Sequence, residues 1–163
     1  MDIIAALNGE NYNTGPYAVA AGGQEGDSQT SVIYNATTGE LSVDAPDVEL
    51  TSINIDSAAG IFTGDAAQNL GGSFDNDADD NIFKATFGSS FGSLSFGRVA
   101  QAGLAEEFLL SDLTVVGSLA RGGDLGEVDL IYVPEPSALV LLLVGLAIVT
   151  IQRQHRPAAQ CGR

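Results

Sequence analysis

The sequence predicts an all-β body, an antiparallel β-sandwich of jelly-roll type, followed by a single C-terminal transmembrane helix. Three observations predict it. Short apolar runs alternate with period two between turn residues, as half-buried strands do. Glycine, 20 of the 163 residues, punctuates those runs throughout. The one long apolar stretch without charge, 138–151, lies near the end of the chain and is the only convincing helical pattern.

The first candidate hairpin is carried by Val32 and Tyr34 on one arm and Leu41 and Val43 on the other. Between them runs a compact turn that ends on Gly39. Residues 51–55 alternate next, and 60–64 form a short apolar run bounded by Gly60 and Gly64. Residues 81–87 and 91–96 read as a second hairpin, and 108–116 and 126–133 as the last strands. One helical turn is expected within 103–107. The body domain is therefore 31–132. Residues 1–30, with one strand-like run over 17–21, form a poorly defined leading segment.

Charge divides the chain. All 21 acidic residues lie at or before Glu135, beside only Lys84, Arg98 and Arg121, a formal 3 − 21 = −18 for that part. Beyond it come Arg153, Arg156 and Arg163 and no acid. So acidic a body repels phosphate backbones, which excludes nucleic acid as a partner. The asymmetry fits a molecule divided by a membrane. The only Cys is Cys161 and the only His is His155, both in the tail, so no intrachain disulfide forms. The body has no Cys/His zinc site and no Ser-His-Asp or Cys-His catalysis. A two-carboxylate glycosidase stays open, though the chain has no Trp for a sugar platform.

The tail reads Pro134-Glu135-Pro136, then fourteen uncharged residues over 138–151, then Arg153 and Arg156. Pro136 suits the first helical turn, where its missing N–H costs nothing. A helix over about 136–152 is roughly 25 Å long at 1.5 Å per residue, the lower limit for crossing a hydrocarbon layer. The arginines beyond it can snorkel to the headgroups and put the C-terminus, 157–163, on the cytoplasmic side. The acidic body is then outside the cytoplasm. Flanked by two prolines, Glu135 is presented on a stiff, extended stretch.

Residues 133–156 resemble the PEP-CTERM sorting signal of bacterial envelope proteins, a segment also described as an ice-binding protein C-terminal domain. The resemblance rests on Pro134-Glu135-Pro136, the Leu-rich run containing Gly145 and the basic end, in that order. It implies recognition by an exosortase, a membrane-embedded transpeptidase that would process the tail and pass the body to the envelope or the extracellular matrix. Export normally needs a leading signal, and residues 1–8 have no basic region and only five apolar residues in a row. The expectation is that the natural chain begins further upstream.

Within the body, Asp75, Asp77, Asp79 and Asn81 place oxygen ligands at every second residue, a spacing that suits Ca²⁺. Asp80 and Thr86 then stand where a calcium loop of the EF-hand type needs Gly and Glu, so an acidic surface turn explains the cluster equally well. No other cofactor is expected. Asn35-Ala36-Thr37 matches a glycosylation sequon that a hairpin turn also explains, and 122–126 reads as a turn with no phosphate-loop Lys. The leading expectation is a non-catalytic structural or interaction protein sorted to the envelope. The alternative is a surface-displayed glycan- or protein-binding module that meets extracellular polysaccharide.

Overall fold

A computed structural model describes residues 17–135, in which alternating burial builds ten strands and two short helices. The first sheet has the spatial order β1 (Tyr17–Ala18), β9 (Leu113–Leu119), β5 (Leu50–Ser57), β7 (Asn81–Ala85), β6 (Phe74–Asp77). All of its pairs are antiparallel. The second has the order β2 (Ala20–Ala21), β10 (Asp129–Val133), β3 (Ser31–Asn35), β4 (Glu40–Asp44), β8 (Leu94–Arg98). Helix α1 (Ala67–Leu70) precedes β6, and α2 (Glu106–Asp112) precedes β9.

The first hairpin forms in the register the alternation implies, Val32 opposite Val43 and Tyr34 opposite Leu41. Its turn closes with Gly39 at φ 69°, a backbone conformation that costs glycine little. A Cβ at Gly39 would also stand 2.0 Å from the Ala100 carbonyl oxygen. Side chains of both sheets enter one buried cluster. Val32, Tyr34, Leu41 and Val43 come from the second sheet, and Ile53, Ile55, Ile82 and Val115 from the first.

Three expectations are corrected. The second sheet is mixed, because β10 runs parallel to β3 and β2. The chain leaves β9 at Leu119, at the end of the molecule where β3 begins, so a strand entering there must run alongside β3 in the same direction. Residues 81–87 and 91–96 do not form a hairpin. Both edges of β7 are taken by β5 and β6, and the following link crosses to the other sheet, where Leu94 pairs with Val43. Residues 108–112 belong to α2, with Glu106 and Glu107 in its first turn, where acids favour a helix N-terminus. Helices of four and seven residues are too short to leave a periodic signature. The strand-like run over 17–21 does form strands: β1 joins the first sheet and β2 the second.

Two polar ties hold the irregular segments. The buried Asp112 carboxylate accepts from the Ser57 hydroxyl at 2.5 Å and the Ala59 N–H at 2.7 Å, fixing α2 to the end of β5. On the second sheet, the Tyr34 hydroxyl donates to the Gln101 carbonyl at 2.7 Å and accepts from the Leu104 N–H at 3.1 Å. The Tyr132 hydroxyl donates to the Leu104 carbonyl at 3.1 Å, and the two tyrosine rings stack with centroids 6.0 Å apart. Burial pushes the Tyr34 hydroxyl above its ordinary value of 10.0. The Leu104 N–H opposes that shift, and Tyr132 and Glu135 add to it.

Among the described residues no helix is long and apolar enough to cross a membrane. The expected transmembrane helix over about 136–152 lies outside the described residues, as do Pro136, Arg153 and Arg156.

Tyr34→Phe should cost about 1–3 kcal/mol, since it leaves the Leu104 N–H without its acceptor. It should also alter the alkaline limb of stability. With the folded value raised, the Tyr34 contribution is complete below the unfolded value near 10 and is lost as pH rises through the folded one. Thermal melts between neutral and strongly alkaline pH should therefore fall less steeply for the variant than for the parent.

Candidate functional site

The first candidate site is the end of β10, the last described strand. Val133 is still a paired residue, aligned with Asn35, and its carbonyl accepts from the Ala36 N–H at 2.9 Å. Pro134 and Glu135 follow at once and are exposed. The Glu135 carboxylate lies beside the 101–104 loop, where a Cβ on Gly103 would sit 3.5 Å from its Oε1. That loop is the one held by Tyr34 and Tyr132. Two residues of the expected sorting tripeptide thus leave a rigid strand end with no spacer between strand and motif.

The acidic cluster is a tight hairpin between β6 and β7. Residues opposite one another across paired strands share a face. Asp75 is aligned with Lys84 and Asp77 with Ile82, on the face that carries the core. Asn81 is aligned with Asp56, on the opposite face. There it donates to Asn54 at 2.6 Å and Asp56 at 2.7 Å, and accepts from Asn76 at 2.7 Å. Asp75 accepts from the Gly72 N–H at 2.6 Å. Asp79 is exposed in the turn, and its carbonyl accepts from the Phe62 N–H. Even spacing would keep these residues on one face of a continuous strand, but the turn between β6 and β7 divides them between two faces. Among the described residues no group of three or more His, Cys, Asp or Glu side chains could hold a metal ion.

Lys84 is buried, its ammonium donating to the Leu70 carbonyl at the end of α1 and lying 5.1 Å from the centroid of the Phe91 ring. Both contacts bind the α1 segment and the 86–93 link to the first sheet.

The third feature was not visible in the sequence. A groove of about 390 Å³ opens beside the start of β5 and the end of β9, lined by Asp47, Val48, Glu49, Leu119, Ala120 and Arg121. The Ala120 N–H donates to the Glu49 carbonyl at 2.8 Å, so the two walls are joined through the backbone. The Ser90 hydroxyl donates to the Glu49 carboxylate at 2.5 Å, orienting it from the 86–93 link. Asp47 and Arg121 are separated by more than seventy positions in the chain, and no local motif connects them.

Compared with known proteins, the chain matches no family model, no curated protein and no solved structure.

With Asn81 turned away from Asp75 and Asp77, the melting temperature should be the same in excess calcium and in chelator. A rise of several degrees in calcium would require the hairpin to rearrange around the ion.

Proposed function

We propose that the chain is an exported structural or interaction protein without catalytic activity. Its tail carries a PEP-CTERM-type sorting signal, with Pro134-Glu135-Pro136 as the recognition motif and a membrane helix over about 136–152. The two sheets are read as a jelly-roll-like β-sandwich held outside the cytoplasm, with Arg153 and Arg156 at the inner surface. The partners are the membrane and an exosortase-type transpeptidase.

The observation that carries the reading is the abrupt change at Val133. A fully paired strand ends there, the next two residues are exposed, and the uncharged run begins at residue 138. Confinement of every acid to the part before that run, with cations alone after it, supports the orientation. The absence of His and Cys before the tail supports a body without nucleophilic catalysis. A second reading, a binding module for extracellular polysaccharide displayed by the same route, is favoured by the groove between β5 and β9.

Expressed behind a secretion signal in a host without an exosortase, the chain should stay in alkali-washed membranes. Val144→Arg with Ala147→Arg should release it, because each mid-helix arginine costs about 2.5–3.5 kcal/mol on insertion. Recovery of the parent chain in the soluble fraction would sink the anchor. With an exosortase-type enzyme present, Glu135→Gln should accumulate as the full-mass form while the parent is shortened. Equal processing of both would remove Glu135 from the motif.

A further inference from the structure

The two candidate sites lie at opposite ends of the molecule. Starting from the tail, Val133 bonds Ala36, Gly103 bonds Ala36, and Ala100 bonds Gly39. Gln101 in turn bonds Ile61, Phe62 bonds Asp79, and Ser57 bonds Asp80. This chain of backbone hydrogen bonds puts the Ser57 end of β5 on the side where the tail leaves. The groove adjoins Leu50, the other end of the same eight-residue strand. At roughly 3.3 Å per residue, the strand separates groove from tail by about 25 Å.

The lining sets the chemistry of an occupant. Asp47 and Glu49 are acceptors, Arg121 is a planar fork of donors, and Val48, Leu119 and Ala120 supply the apolar part of the lining. An anionic ligand meets two carboxylates on a chain whose residues 1–135 carry a formal charge of −18, and so is repelled. Only two cations are solvent-exposed among the described residues, Arg98 and Arg121, and one of them faces the groove. A cationic ligand would be drawn in by the two carboxylates and the net charge, but it would be repelled by that guanidinium and leave its donors unused. An uncharged polyol uses all three groups: its hydroxyls donate to Asp47 and Glu49 and accept from Arg121, while a C–H face rests on the apolar part of the lining. The volume lies within the range of small-molecule sites.

We propose that this groove binds a neutral saccharide, at the end of the body that faces away from the membrane. The proposal deepens the second reading above, that of a displayed binding module, and its orientation rests on the tail anchor. No aromatic ring lines the groove, so the affinity is weak, on the order of millimolar for a short oligosaccharide. Longer chains of the same sugar bind more tightly when several anchored copies engage one polymer.

The test uses the full chain in detergent micelles, titrated by calorimetry and by ligand-observed NMR. The probes are uncharged gluco-, manno- and galacto-configured oligosaccharides of two to six units, with spermidine and calcium ion as charged controls. At least one neutral series should bind. Arg121→Ala and the pair Asp47→Asn with Glu49→Gln should each weaken it about tenfold or more. Arg98→Ala, remote from the groove, should leave it unchanged. Melting temperatures of the variants equal to the parent's should accompany the loss. No binding by any neutral probe overturns the proposal. So does binding that ignores the groove substitutions, or binding by spermidine or calcium alone that Asp47→Asn with Glu49→Gln abolishes. Membrane fractionation of the same samples keeps the two readings apart. Saccharide binding by a chain that does not partition into membranes would sink the anchor and leave the groove. Partitioning without binding would do the reverse.

Discussion

Strand β10 is an interior strand of its sheet, held between β2 and β3 and parallel to both. Parallel neighbours cannot be joined by a tight turn, so β10 is reached only after the chain has traversed the first sheet and crossed back. Until it is in place the inward side chains of β3, Val32 and Tyr34, lack their lateral neighbours, and Leu130 and Tyr132 are absent from the core. The short strands β1 and β2 depend on the same event, since β2 hydrogen-bonds β10 and β1 pairs with the nearby β9. The body is closed by bringing together the two ends of its described chain.

That closure has a consequence for the tail. Tyr132 fixes the end of β10 through Leu104, and Tyr34 holds the same loop from the neighbouring strand. The residue after Val133 is already Pro134, so the strand that completes the fold leads directly into Pro134 and Glu135. A processing enzyme that reads Pro134-Glu135-Pro136 would work against the face built from the 36–39 turn and the 101–104 loop. The opposite face is tied together by Asp44, which accepts from the Gly26 N–H at 2.6 Å and the Ser93 hydroxyl at 2.9 Å. The groove lies at this end, where the Ala120 N–H and the Glu49 carbonyl join its two walls. Polarity along the strands thus puts the groove and the last described residues, Pro134 and Glu135, at opposite ends of the molecule.

The sequence alone determined the β class, the first hairpin with its register, the split of charge and the uncharged terminal run. Each of these depends on neighbours in the chain. Alternation over five residues decides which side chains share a face, and a glycine-closed turn decides which residues stand opposite. Tertiary structure decided the rest, because it depended on which edges were already occupied. Nothing within 81–96 says that β7 is flanked on both sides, so an apparent hairpin is two strands in different sheets. Nothing within 126–133 says where β9 ends in space, so the direction of β10 could not be read. The even spacing of Asp75, Asp77, Asp79 and Asn81 was visible, but the bend of the hairpin divides them between two faces. The groove needed Glu49 and Arg121 to meet across two sequence-distant strand ends, and only the pairing of β5 with β9 brings them there.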